Sequence, residues 1–145
     1  MQGTLATHEI DEVEAALVAN FPRAEFPVEN HFVPGLYRRT TTLPAGTVMV
    51  SMEHKTEHFF FIVKGTVHVT SLNEGRVTYV GPCAGVTKPR TRRILQAETE
   101  TVWMTYHVTD ETDVEKIAEQ ILEPHVNPLI PEDAKNQWKG GACLG

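Results

Sequence analysis

The chain has 145 residues, 41% of them hydrophobic and 22% charged, with a formal charge of −6 at neutral pH. That is enough apolar material for one buried core, and it excludes a disordered chain, a coiled coil and a collagen-like repeat. The acidic total argues against a dedicated nucleic-acid binder. The charge is segregated. Residues 1–30 carry one basic and six acidic groups, residues 31–108 nine basic and five acidic, and residues 109–145 three basic and eight acidic.

Taken in order, the N-terminus has neither a basic cluster nor a long apolar stretch, so it does not read as a secretory signal. Residues 8–20 are expected to be helical, because Ile10, Val13, Leu17 and Phe21 fall three or four apart with acids between them. Thr7 is placed to cap this helix and Pro22 to stop it. Residues 22–30 read as an extended arm. From His31 to Val108 short β-rich runs alternate with turn signals, at about 31–42, 47–53, 58–63, 66–71, 76–80, 84–88, 91–96 and 101–108. About eight strands with no long helix between them point to an antiparallel sandwich or barrel. The run His58 to Val63 is apolar without alternation, which suggests that both its faces are covered. At five apolar residues, Phe59 to Val63, it is too short to span a bilayer. Thr112 and Glu115 have capping-box spacing ahead of an apolar stripe of Val114, Ile117 and Ile121, and Pro124 follows. The last segment, with Trp138, Gly140 and Gly141, reads as a tail laid over something. The organisation is one domain over 1–145: helix and arm 1–30, barrel 31–108, helix and tail 109–145. Cys83 and Cys143 show no paired spacing and read as structural thiols in a reducing setting.

The chemistry-bearing residues cluster around His54 and His58. On a straight strand, residues four apart lie roughly 13 Å from each other, too far to share a metal. A ligand pair therefore needs a bend at Lys55 and Thr56. His107 shares a strand face with Trp103 and Thr105, and barrel closure would bring it to the same place. Imidazole trios suit several divalent metals, so Zn, Fe, Ni, Cu and Mn stay open. Glu57 is either a proton-transfer group beside such a metal or a surface carboxylate paired with Lys55. Arg92 and Arg93, within the basic run Lys88 to Arg93, offer guanidinium forks for a carboxylate or phosphate. The other readings of this run are a nucleic-acid patch, which the acidic total and the lack of interleaved aromatics disfavour, a solvated turn, and an internal contact with the acidic end segments docking on it. No nucleophile elbow, P-loop, dinucleotide fingerprint or HExxH occurs.

Residues 36–108 resemble the cupin superfamily of small jelly-roll barrels. Gly46, His54 and Gly65 match the first motif, with Met52 where the first histidine belongs and His58 where the glutamate belongs. Pro89 matches the second motif, but its glycine and histidine are absent and Ile94 stands in the histidine position. The resemblance implies a cupin-type jelly roll, with half of the usual four-ligand set replaced. The runs Leu43 to Thr47, His54 to His58, Pro89 to Arg93, Thr101 to His107 and Thr109 to Ile117 are more narrowly similar to small cupin-like proteins of tailed bacteriophages and prophages. That similarity implies a non-enzymatic oligomeric assembly or accessory module of a virion. Its expected partners are copies of itself and other virion proteins, in the host cytoplasm or the particle, with no membrane and no nucleic acid. The alternative is a metal-dependent oxygenase, isomerase or lyase acting on a small carboxylate-bearing substrate. Its metal would sit on His54, His58 and His107, with Arg92 or Arg93 holding the carboxylate.

Overall fold

Most strands bury every second residue, and the buried halves meet between two sheets. The computed structural model describes residues 7–133 apart from residue 73. The readings of Trp138, Gly140, Gly141, Cys143 and the Thr7 side chain lie outside the described residues. The elements are α1 (Thr7–Asn20), β1 (Val28–Val33), β2 (Leu36–Leu43), β3 (Val48–Val50), β4 (His58–Lys64), β5 (Thr66–Ser71), β6 (Gly75–Val80), β7 (Cys83–Thr87), β8 (Arg93–Ala97), β9 (Thr101–Val108) and α2 (Val114–Ile121). The strands form two antiparallel sheets, ordered β1-β2-β9-β4-β7 and β3-β8-β5-β6. The jelly-roll expectation holds, with nine strands. The ninth arises because Pro34 and Gly35 fold the run 31–42 back on itself as the β1–β2 hairpin. Gly35 sits at φ +81°, where a side chain would be strained.

The main core fills the gap between the sheets with Leu43, Met49, Phe60, Ile62, Leu95 and Trp103 among its members. Phe60 stacks on Trp103 at 5.0 Å between ring centroids. A second cluster, of Tyr37, Ile117, Ile121 and Leu122, packs α2 on the end of the barrel. Gly65 closes the β4–β5 turn at φ +101°, and a Cβ there would lie 2.4 Å from the Glu100 carbonyl oxygen.

Several details depart from the sequence reading. β4 does alternate: His58, Phe60 and Ile62 are buried, whereas Phe59, Phe61 and Val63 face outward and are exposed. Both faces are apolar, so composition masked the alternation. α2 is capped by Asp113 rather than Thr112. The Asp113 side chain accepts from the Glu115 and Lys116 amides, and the helix ends at Ile121, before Pro124. Phe21 lies past the end of α1 and is 64% exposed. What α1 buries instead is Ile10 with two acids, Asp11 and Glu14.

Those acids tie the N-terminal segment to the basic middle. Arg92, just ahead of β8, is buried, and its two terminal nitrogens reach Asp11 Oδ1 at 2.6 Å and Glu14 Oε1 at 3.1 Å. The segment after α2 closes the same knot. His125 Nε2 lies 2.9 Å from Asp11 Oδ1, and Asn127 Nδ2 donates to the Asp11 carbonyl and to Glu14 Oε1, both at 2.9 Å. Burial pushes the Asp11 carboxyl up, but the Arg92 and His125 contacts outweigh it and hold it below its ordinary value. The N-terminal segment thus meets one arginine of the basic middle through its acids, and the C-terminal segment joins by binding those acids with His125 and Asn127.

Candidate metal centre

Strand register builds two-thirds of the site. β9 pairs with β4 so that Tyr106 opposes Phe59, and one step further the same register sets His107 beside His58 on the inner face. On its other side His107 opposes Tyr37 of β2, and the two rings stack at 5.8 Å. His54 arrives from the loop before β4. The chain bends at Lys55 and Thr56, as a shared ligand pair requires. The loop is clipped to the segment around the end of α2: His54 bridges to Leu122, the Lys55 amide donates to Ile121 O at 2.7 Å, and the Glu123 amide donates to Glu53 O at 2.8 Å. The Arg90 amide holds the His54 carbonyl at 2.6 Å. The His54–His58, His58–His107 and His54–His107 ring centroids are 4.6, 4.5 and 5.9 Å apart.

All three imidazoles are buried, and one nitrogen of each lies within 4.8 Å of the others. Hydrogen bonding decides which nitrogens are committed. His58 Nδ1 is 3.2 Å from the Thr56 carbonyl oxygen and donates to it, so Nε2 carries the lone pair. His107 Nε2 is 3.0 Å from Thr105 Oγ1, and its Nδ1 is buried without a hydrogen-bond partner. His54 bonds the Met52 backbone, and its Nε2 is likewise buried without a partner. A neutral ring that donates through one nitrogen leaves the other as a bare lone pair, which is the form a metal binds. Three bonds near 2.1 Å to one tetrahedral ion put the nitrogens about 3.4 Å apart, so modest ring rotations close the set. The residues present therefore fit a divalent transition metal.

The electrostatics keep the rings neutral. Burial is the largest influence on His54, followed by His58 and Arg93, and pushes its pKa down to about 3. Burial, His58, His54 and Arg39 lower His107 to about 3. Burial also lowers His58, against its bond to Thr56 O. The unfolded chain, with histidines near 6.5, therefore binds more protons than the folded one as pH falls below that value. Stability supplied by the neutral rings is fully present above pH 6.5 and is lost progressively toward pH 3. Metal-free protein should lose about 10 °C or more of its thermal midpoint between pH 6.5 and 4.5. The His54→Gln, His107→Gln double variant should show a clearly shallower decline in the same melts.

The other sequence candidates fall in different places. Arg93 opens β8 on the barrel interior, buried, with its guanidinium carbon 5.1 Å from the Phe60 ring centroid and its Nε without a hydrogen-bond partner. Burial lowers its pKa, against the pull of Tyr79 and Glu74. Arg92, one residue away, has both terminal nitrogens engaged by Asp11 and Glu14. Glu57 is exposed beyond the start of β4 and pairs with Lys88 at 3.0 Å rather than with Lys55, whose ammonium donates to the Glu119 carbonyl. Met52 packs toward α2, and Ile94 pairs with Val50 and Thr70 in the four-stranded sheet. Neither residue that replaces a cupin-motif histidine is among the three described side chains that could jointly hold a metal. Sequence reasoning missed Tyr37 and Arg39, because they join the site through the pairing of β2 with β9 rather than through spacing along the chain.

No described protein family and no curated protein sequence matches the chain. Solved structures do. An RmlC-like cupin family protein with a double-stranded β-helix fold from Methanocaldococcus jannaschii superimposes with a TM-score of 0.51 at 14% identity, covering 63% of this chain and 88% of that one. A Neisseria meningitidis protein gives 0.51 at 14% identity, covering 66% and 95%. Salicylate 1,2-dioxygenase from Pseudaminobacter salicylatoxidans gives 0.56 at 15% identity and covers 81% of this chain, which spans only 37% of the dioxygenase. These likenesses establish the fold, the double-stranded β-helix of cupins. No helix among the described residues is long and apolar enough to cross a membrane.

Proposed function

We propose that this chain binds one divalent transition metal on His54, His58 and His107 and presents it to a small carboxylate-bearing ligand anchored by Arg93. The observation that carries the reading is the set of three inward imidazoles with uncommitted nitrogens, two of them sealed from solvent without a partner. A satisfied core histidine would spend both nitrogens on the protein. Leaving buried polar atoms unmatched costs roughly 1–3 kcal/mol each, a cost that ligation would recover. Three protein ligands leave coordination positions open, and a metal so held supplies Lewis-acid chemistry of the oxygenase, isomerase or lyase kind. Around it the chain's own groups orient and exclude water. The Thr56 carbonyl fixes the tautomer of His58, the Thr105 hydroxyl hydrogen-bonds His107 Nε2, Tyr37 stacks against His107, and α2 covers the end of the barrel. Among the described residues, no carboxylate contacts Arg93. Its buried charge is the counterpart a carboxylate needs. The identity of the metal among Zn, Fe, Ni, Cu and Mn is left to measurement.

Native purification with elemental analysis, followed by calorimetric titration of the stripped protein, tests the reading. One metal per chain is expected, with benzoate or succinate binding the loaded protein and losing at least about tenfold in affinity in Arg93→Met. A chain that purifies bare and gives no heat with any of the five metals ends the proposal. The second reading is the oligomeric assembly module of a phage particle. It is favoured by one observation of its own, the exposed apolar strip of β4, since large exposed apolar patches mark interfaces.

A further inference from the structure

The outer face of the five-stranded sheet is continuous and mostly apolar. Register sets His31, Arg38, Tyr106, Phe59 and Val86 in one row across all five strands, and Thr40, Met104, Phe61 and Ala84 in the next. Phe59 is 67% exposed and Val108 88%, and Phe61, Val63 and Val86 are also exposed. These five side chains leave on the order of 400–500 Å² of apolar surface in water, the upper range for a monomer. They line or border a groove of about 930 Å³. With partly buried Leu36, Met104 and Tyr106 the apolar footprint reaches on the order of 600 Å², the larger part of the roughly 800 Å² per partner of a standard interface.

We infer that this face is the contact surface of a two-fold dimer of the chain with a second copy of itself. Charge placement selects a second copy over an unrelated partner. Arg38 stands on β2, with Nε buried and lacking a hydrogen-bond partner, and Glu57 lies just before β4, two residues from Phe59, where its exposed carboxylate meets exposed Lys88 at 3.0 Å and keeps an oxygen for a second cation. A two-fold axis running along β9, the central strand, sets β2 of one copy over β4 of the other. Arg38 then faces Phe59 of the partner subunit and reaches Glu57 of the partner subunit, about 7 Å further along the strand. Symmetry makes this contact twice, at both rims of an apolar centre, the arrangement that stable interfaces show. The inference stands independently of the metal reading.

Light scattering behind size exclusion, at micromolar concentration, tests it. The expected mass is twice 16.2 kDa. Phe59→Asp should give a monomer with an unchanged circular dichroism spectrum, because the side chain is exposed within one copy. Arg38→Glu and Glu57→Arg should each weaken dimerisation at least about tenfold, and together restore it. That swap decides the matter if Phe59→Asp fails to fold. A wild-type monomer, a Phe59→Asp dimer, or a charge swap without rescue would each overturn the inference.

Discussion

Replacing Arg92 by Met should cost about 3–5 kcal/mol of folding stability, the largest single-residue loss expected on this chain's surface layers. Three segments meet around that side chain: Arg92 just ahead of β8, α1, whose Asp11 and Glu14 it binds, and the post-α2 segment, whose His125 and Asn127 bind those two acids in turn. The carboxylates and the guanidinium are all nine-tenths or more buried. The paired charges offset one another's desolvation. Without the arginine, two carboxylates remain in a poorly solvated pocket, so the penalty exceeds the worth of a surface ion pair several-fold. Thermal unfolding should show a midpoint lower by roughly 10–15 °C. The triple variant Arg92→Met, Asp11→Asn, Glu14→Gln should recover most of the loss, since it removes the stranded charge along with its partner. If the single variant melts like wild type, the knot contributes nothing and α1 is held by Ile10 alone.

His107→Leu should separate ligation from packing, because the two readings demand opposite signs. If His107 is retained as a ligand, the metal-free variant is as stable as wild type or more so, since an unmatched buried nitrogen has been exchanged for a hydrocarbon of similar bulk. At the same time its affinity for Zn²⁺ or Fe²⁺ falls by at least about 100-fold, the upper end of what even supporting residues of a metal site cost. Wild type should gain about 4 kcal/mol at a metal concentration 1,000 times its dissociation constant, and the variant no more than about 1.4 kcal/mol at the same concentration. Paired melts with and without metal check both effects. A variant that is destabilised when metal-free, with wild type indifferent to metal, would return the three histidines to the core.

The barrel was legible in the sequence because turn residues and β-rich runs are local signals. Pro44 to Gly46, Lys64 and Gly65, and Gly81 and Pro82 all fall at strand ends in the structure. The local signal failed where composition was uniform. In β4, consecutive phenylalanines erased the difference between an inner and an outer face. It also failed in α1, where Asp11 and Glu14 look like a solvated face until the arginine that buries them is known to lie 81 and 78 residues away. The short spacing of His54 and His58 identified the candidate ligands and the bend they need, and the shared face of Trp103, Thr105 and His107 supplied the third.

What the sequence determined by itself was the architecture and the inventory: an antiparallel jelly roll, a basic middle between acidic ends, and a short roster of histidines and arginines. These follow from period, turn chemistry and charge, which each residue carries wherever it sits. The assignment of roles was decided by tertiary structure. Arg92 and Arg93 are neighbours of identical chemistry, yet one closes an internal ionic knot and the other stacks over Phe60 near the histidines. Adjacent residues on an extended chain point to opposite sides, so what each one meets depends on elements distant in sequence. The same holds for the imidazoles. Which nitrogen of His54, His58 or His107 is left free depends on Met52 and Thr56 in the loop, on Thr105 across one strand step, and on burial that only the closed barrel supplies.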